Sequence, residues 1–388
     1  MQLSLSPQKS LPQVGATVVL GMSGGVDSSV SALLLVQQGY RVIGVFMKNW
    51  DEADEQGVCT SAEDFRDVEI TCAKLGIPCL SVNFTKEYAD SVFSRFLDEY
   101  RAGHTPNPDI LCNKEIKFHH FYNKALELGA DYFATGHYCR VLDGGLYKGR
   151  DGDKDQSYFL SAIPAATLER VLFPLGELTK PEVRALARRY ELPTREKKES
   201  MGICFIGPQN FPNFIRRYIT TAPGPFQLLD GTVVGQHLGV AFYTVGQRKH
   251  LGLGGEGARW YVVKKDLERN IVYVERNHRH PALYSDSLVA EEWQGINFCL
   301  PDKIFYAQCK IRHRQKDQLC TLEKLADGRI QVSFAEPQRA IALRQAIAFY
   351  LDDRCLGGAV ICAVAESYHQ QGKSLPAENL LKSTHDFI

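Results

Sequence analysis

The segment Gly21-Met22-Ser23-Gly24-Gly25-Val26-Asp27-Ser28-Ser29 stands between an apolar run, residues 16–20, and a stretch with apolar residues at helical spacing, residues 28–38. The loop thus follows a strand directly and opens a helix. The glycines let the backbone turn tightly and aim N–H groups at an anion, and the helix N-terminus adds partial positive charge. Such a nest holds phosphate. Ser23, Ser28 and Ser29 add hydroxyls. Asp27 would repel bare phosphate, so a metal ion is expected between the two. The letters Gly21–Gly25 also fit the G-x-S-x-G nucleophile elbow, but that turn normally follows several strands, and this one begins at residue 21.

The alternation continues downstream. Residues 41–47, 79–84 and 131–135 read as strands, and 61–75, 85–102 and 114–128 as helices, the last stopping at Gly129. Thr179-Lys180-Pro181 opens another helix, with proline in its first turn. Strands separated by helices of this length predict a parallel sheet covered on both faces, an α/β domain. After residue 218 the texture changes to short β-rich runs at 233–234, 240–245, 260–263 and 271–274. A second set lies at 306–311, 320–324, 330–334, 346–351 and 358–363 and predicts a small barrel or sandwich. A chain of 388 residues suits two or three domains. The expected division is an α/β catalytic domain over 1–215, a β-rich central domain over 216–295, a C-terminal β-barrel over 296–365 and a polar tail, 366–388.

Lys and Arg number 45, as do Asp and Glu, so the net charge is zero and any nucleic acid must be met by a local basic patch. Lys310, Arg312, His313, Arg314 and Lys316 form one such run. The eleven cysteines include no C-x-x-C pair, which removes the usual zinc signature, and their odd number argues against a secreted disulfide framework. With no apolar run of membrane-spanning length, the expectation is a reduced, cytoplasmic protein that does not enter a membrane. Gly252-Leu253-Gly254-Gly255-Glu256-Gly257 matches G-x-G-x-x-G, but no strand precedes it and a strand-like run follows, so it reads as a loop.

The SGGxDS run Ser23-Gly24-Gly25-Val26-Asp27-Ser28 resembles the pyrophosphate loop of the N-type ATP pyrophosphatases, which adenylate a substrate oxygen. That likeness implies a Rossmann-like, adenine-nucleotide α-hydrolase-like catalytic domain. Further segments are similar to those of the bacterial-type tRNA 2-thiouridylases. They are Phe46-Met47-Lys48-Asn49-Trp50, Thr105–Phe118, Ala134-Thr135-Gly136-His137-Tyr138, Lys154-Asp155-Gln156-Ser157-Tyr158-Phe159 and Gly202-Ile203-Cys204-Phe205-Ile206-Gly207. The likeness spans roughly residues 16–363. It implies ATP, with magnesium, on Gly21, Met22, Ser23, Gly24, Gly25, Val26, Asp27, Ser28, Met47 and Gly136. It implies a persulfide on Cys204, Cys112 as the nucleophile that releases the sulfur, ending in a Cys112–Cys204 disulfide, and Asp109 as acid/base. Asn107, Pro108 and Asp109 are the implied contacts of the target base, and His137, Lys154, Asp155, Gln156, Arg312, His313 and Gln345 those of the tRNA. The implied substrates are tRNAs for Lys, Glu and Gln bearing a wobble uridine, with sulfur from a cysteine desulfurase or a relay protein. The products would be 2-thiouridine, AMP and pyrophosphate. The chain departs from the family pattern at His313, where Tyr is expected, and at Arg344, where Gly is usual.

The residues suit that chemistry in their own right. Uracil O2 is a poor leaving group, and adenylation turns it into AMP. A persulfide sulfur is then a good nucleophile at C2. Cys112 reads as lying in a Pro-rich loop just before a helix, where the helix N-terminus, Lys114 and Lys117 favour an exposed thiolate. Cys204 is flanked by small residues that suit an accessible loop. Two other classes stay open on the sequence: an ATP-dependent ligase or amidase that uses no sulfur, and an RNA-binding module without catalysis.

Overall fold

The computed structural model describes residues 14–50, 60–198 and 211–376. Cys204 with its flanking glycines, and Cys59, lie outside the described residues.

The first part runs β1 (Thr17–Met22), α1 (Val26–Gln37), β2 (Arg41–Lys48), α2 (Thr60–Leu75) and β3 (Cys79–Asn83), then helices over 85–101 and 108–127. Next come β4 (Tyr132–Ala134), β5 (Cys139–Leu142), β6 (Gly145–Lys148) and β7 (Val171–Leu172). Five of these strands form one parallel sheet in the order β3-β2-β1-β4-β7. Val18, Val19 and Leu20 of β1 are fully buried at its centre. Chain order reverses on either side of β1, with β2 on one flank and β4 on the other. The crevice at the carboxyl ends of such strands is where open α/β sheets bind ligands, and Gly21–Gly25 leaves β1 there.

Two features of this part differ from expectation. The helix expected at 114 starts at Pro108: Asn107 Oδ1 accepts from the Ile110 amide at 3.3 Å, and proline takes the first turn. It continues through wide π-type turns, Cys112–Phe121, to Glu127. The hairpin β5–β6 was not anticipated, although Asp143 and Gly144, with φ of 49° and 71°, make the left-handed turn that favours such a pairing.

The central sheet holds β8 (Gly224–Gln227), β9 (Val233–His237), β10 (Trp260–Asp266) and β11 (Ile271–Arg276), in the order β10-β11-β8-β9. Residues 240–245, expected as a strand, instead begin with one 3-10 turn, Val240–Phe242. Gly239 and Gly246, at φ of 139° and 86°, bend the chain on both sides, and Ala241 and Tyr243 fill the core beneath.

The last sheet contains β12 (Tyr284–Gly295), β13 (Phe305–Lys310), β14 (Gln318–Lys324), β15 (Ile330–Arg339), β16 (Ala346–Leu351) and β17 (Arg354–Val364). Antiparallel pairing runs β12-β15-β14-β13-β16-β17 and closes through β12–β17 into a barrel. Its interior is packed with Leu288, Leu322, Val332, Ile347 and Phe349. Strand β12 carries polar Ser285-Asp286-Ser287 near its start, which hides it in the sequence, and it draws the last sheet's beginning back to Tyr284. The β5–β6 hairpin attaches to this barrel, Tyr147 opposite Arg354 and Leu146 opposite Cys355. Part of the polar tail packs back: the Tyr368 amide donates to Tyr284 O at 2.9 Å. Among the described residues, no helix is long and apolar enough to cross a membrane.

Candidate active site

The loop after β1 has the shape its glycines predict. Gly25 caps α1, and Gly24 has φ +72°. A Cβ on Gly24 would lie 2.5 Å from Asp64 O, so α2 closes the back of the loop. Two of the three hydroxyls serve the loop itself. Ser28 Oγ donates to Gly25 O at 3.1 Å and accepts from the Ser23 amide at 3.2 Å, and the fully buried Ser29 donates to Gly25 O at 2.9 Å. Ser23 alone is exposed, and its hydroxyl meets Ser28 Oγ at 3.3 Å, with no imidazole partner among the described residues, so the relay of a hydrolase elbow is not built here.

Asp27 was expected to face a metal. The cation it faces is Lys180, whose Nζ lies 2.7 and 2.8 Å from its two carboxylate oxygens, while Tyr138 Oη donates to Oδ1 at 2.8 Å. Lys180 begins the helix Lys180–Arg189, fixed by a capping box between Thr179 and Glu182. Neither Lys180 nor Tyr138 was singled out from the sequence for this role. Among the described residues, no group of three His, Cys, Asp or Glu side chains could hold a metal. Magnesium binds through one or two carboxylates together with substrate phosphates. The residues here fit it only as a companion carried by the triphosphate.

Gly136 leaves β4 against the first turn of α1: a Cβ there would sit 3.1 Å from Ser28 N. Its bareness lets strand and helix touch directly under the nest. Met47, near the end of β2, is half-buried against the cluster that contains Cys112, Phe118 and Phe121.

The helix over 108–127 forms the wall beside the loop. Phe121 Cε1 lies 3.1 Å from where a Gly21 Cβ would be, and the rings of Phe118 and His137 are 5.9 Å apart. Asp109 occupies the first turn. Cys112 is one turn inside the helix and only 1% exposed, which replaces the expected open loop position. A run of π-type turns inside a helix is rare and often marks a functional site. The next residue, Asn113, is also buried and donates to Phe159 O at 3.3 Å. Lys114 lies 3.7 Å from Glu115.

The residues expected to meet tRNA converge on the seam between this helix, the 154–160 segment and the barrel. His137 is buried, its Nδ1 2.7 Å from Thr135 Oγ1. Burial, and then the charge of Lys117, holds its pKa well below the usual imidazole value. Gln156 Oε1 accepts from the Tyr138 amide at 3.0 Å. Asp155 is 4% exposed and accepts from the amides of Gly149 and Ser157, both at 3.1 Å, from Ser157 Oγ at 3.0 Å and from Lys310 Nζ at 3.3 Å. Lys154 is half-buried beside it. His313 Nε2 is 2.9 Å from Asp155 O and its ring 4.3 Å from that of Phe159; burial lowers its pKa. Arg312 donates to Ala340 O at 3.0 Å. Gln345 donates to the carbonyls of Thr105 and Pro106, just ahead of Asn107.

The basic run is therefore narrower than its letters suggest. Lys310 points inward at the end of β13 and pairs with Asp155 and, at 3.8 Å, Asp317. Arg314 and Lys316 are the exposed members. Arg344 has φ +66°, a left-handed conformation that suits the glycine of the family pattern. Its guanidinium spans Glu99 at 2.8 Å and Glu292 at 3.0 Å and also binds Glu291.

Three family models cover most of the chain. They are described as a tRNA methyl transferase HUP domain, residues 16–208, a tRNA methyl transferase PRC-barrel domain, residues 212–276, and an aminomethyltransferase beta-barrel domain, residues 285–361. A protein of Protochlamydia amoebophila named tRNA-specific 2-thiouridylase MnmA is 52% identical over 370 residues, covering 94% of this chain and 98% of that one. A protein of the same name from Halalkalibacterium halodurans is 55% identical over 348 residues, covering 89% and 94%. Among solved structures, a 4-thiouridine synthetase–RNA complex with bound ATP aligns at 20% identity and a TM-score of 0.32 over 52% of this chain and 49% of that one, a likeness too slight to argue from.

Proposed function

The chain belongs to the tRNA-specific 2-thiouridylase family, and from that membership we propose that it is an ATP-dependent tRNA-uridine 2-sulfurtransferase whose reaction centre lies between the 21–28 loop and the helix carrying Cys112. One observation carries the placement. The helix that packs Phe121 beneath Gly21 holds Asp109 and Cys112 in its first two turns, so nucleotide loop and thiol share one scaffold.

On this reading the triphosphate rests on the amides of Gly21–Ser28, with Met47 and Gly136 beside it and magnesium on the phosphates. The target base enters over Asn107, Pro108 and Asp109, having left its stack as a loop base can. Uracil O2 attacks the α-phosphate and pyrophosphate departs, with Asp109 handling the proton. The terminal sulfur of a Cys204 persulfide attacks C2, and the C2–O2 bond breaks as AMP leaves. Cys112 thiolate then attacks Cys204 Sγ. The S–S bond to the base breaks, its electrons form the C2 thiocarbonyl, and a Cys112–Cys204 disulfide remains for reduction. Cys112 is covered at rest, so the thiol has to be uncovered during turnover.

His137, Lys154, Asp155, Gln156, Arg312, His313 and Gln345 make up the tRNA side of the site. The bonds of Asp155, Gln156 and Gln345 suit groups that shape the RNA surface, and exposed Arg314 and Lys316 suit phosphate contacts. The proposed substrates are tRNAs for Lys, Glu and Gln with a wobble uridine. Sulfur would come from a cysteine desulfurase or a relay protein, in the cytoplasm.

The test is direct. The protein is incubated with tRNA, ATP, magnesium, cysteine and a desulfurase, and the RNA is digested and analysed for 2-thiouridine. Cys112→Ser and Cys204→Ser should abolish 2-thiouridine and keep tRNA-dependent pyrophosphate release. Thiolation that persists in both variants would remove the mechanism; turnover of a small metabolite without tRNA would favour a ligase.

A further inference from the structure

Away from the phosphate loop, a cavity of about 570 Å³ opens where the three parts of the chain meet. Gly103–Thr105 contributes from the first part, Val263–Lys265 from the central sheet, and Leu283, Ile341 and Val364 from the barrel region. That volume is in the range of small-molecule sites, which favour domain junctions and apolar walls with few polar groups. Most polar side chains on its wall are already engaged. His104 Nδ1 lies 2.8 Å from a Glu99 oxygen, Ser285 Oγ donates to Ala365 O at 2.9 Å, and Thr105 Oγ1 meets Thr244 Oγ1 at 3.2 Å.

Lys265 is the buried cation among them. Its ammonium donates to Gly103 O and, at 2.7 Å, to Tyr243 O. Among the described residues these carbonyls are its only partners, and no carboxylate pairs with it. Burial pushes its pKa down to about 8. A cation taken out of water without a counter-charge is costly unless an anion joins it. Its two carbonyl bonds leave one N–H for a ligand. Among the described residues, no Phe, Tyr or Trp lines the cavity to stack a nucleobase.

We propose that this junction cavity is a binding site for a small aliphatic monocarboxylate, its anionic head on Lys265 and its chain against Leu283, Ile341 and Val364. The occupant would touch Gly103 and Thr105, which lead into Asn107, and so would join the catalytic segment to both β-rich parts.

The test uses the full chain and decanoate, with decanol as the neutral control and decyl phosphate as a second anion, by isothermal titration calorimetry. Decanoate should bind with a stoichiometry of one, at least about tenfold tighter than decanol, the ratio expected of a charge-assisted bond. Decyl phosphate binding tighter than decanoate would reject the carboxylate assignment. Lys265→Met should erase the preference for decanoate over decanol. Ala342→Trp, which fills the wall, should abolish binding of both while the melting transition stays cooperative, and this keeps the test valid if Lys265→Met fails to fold. The proposal fails if decanoate does not bind, if decanol binds equally well, or if Ala342→Trp leaves binding unchanged. It also fails if tRNA displaces decanoate at one equivalent and Ala342→Trp weakens tRNA binding, because the cavity would then belong to the RNA.

Discussion

Asp27 places a carboxylate at the mouth of a phosphate nest, and Lys180 cancels its charge through two short contacts. Without that ammonium the carboxylate would repel an incoming triphosphate. Lys180→Met is expected to raise the KM for ATP about tenfold, equivalent to ~1.4 kcal/mol, measured as tRNA-dependent pyrophosphate release against ATP. An unchanged KM would show that the pair is only structural. The nest was legible because its glycines and serines adjoin in sequence. Lys180 was not, because 153 residues separate it from Asp27 and only the fold joins them. His137 has a different consequence. Its folded pKa lies well below the model-peptide 6.5, chiefly through burial. Below pH 6.5 the unfolded chain takes up a proton that the folded chain refuses. The contribution is thus complete above that pH and is lost as pH falls toward the folded value, at up to ~1.4 kcal/mol per pH unit. Burial also lowers His237, His280 and His313, which act in the same direction. Urea midpoints at pH 7.5, 6.5 and 5.5 should fall in that order, and His137→Gln should flatten the slope.

At the scale of elements, the helix over 108–127 shows what a local reading gains and loses. Asn107-Pro108 carries both an N-cap and a first-turn proline, yet among neighbouring prolines it reads as loop, which put Cys112 outside the helix instead of one turn within it. The hairpin turn at Asp143-Gly144 was visible, but its partner strand starts only at Arg354. Strand β7, of two residues, offers no periodicity at all. Gln345 ties the barrel to the carbonyls just ahead of this helix. Gln345→Ala leaves those carbonyls without their donor and is expected to cost ~1–2 kcal/mol of stability. It should reduce thiolation kcat/KM about tenfold, since small misplacements of a reacting group carry large rate penalties. A loss of stability without a change in kcat/KM would reject the positioning role.

Across the whole molecule, charge is buried beside the apolar cluster at the seam between the first part and the barrel. Asp155 and Lys310 are nearly inaccessible and join the 149–157 segment to the barrel, with Lys148 extending the network through Asp317 at 2.7 Å. Removing one partner strands the other. Asp155→Asn and Lys310→Met should each destabilise by about 3 kcal/mol, and the double variant by less than their sum, with a coupling of at least ~1 kcal/mol. Urea unfolding of all four proteins measures that cycle, and simple additivity would refute the pairing. The β5–β6 hairpin bears on how such a chain comes into being. Arg140 is translated 213 residues ahead of Asp353, its ion-pair partner across the seam. On the ribosome, the nascent hairpin must carry an open strand edge until the strand that begins at Arg354 has been made, and shielding that edge from other chains in the meantime becomes a task for the cell.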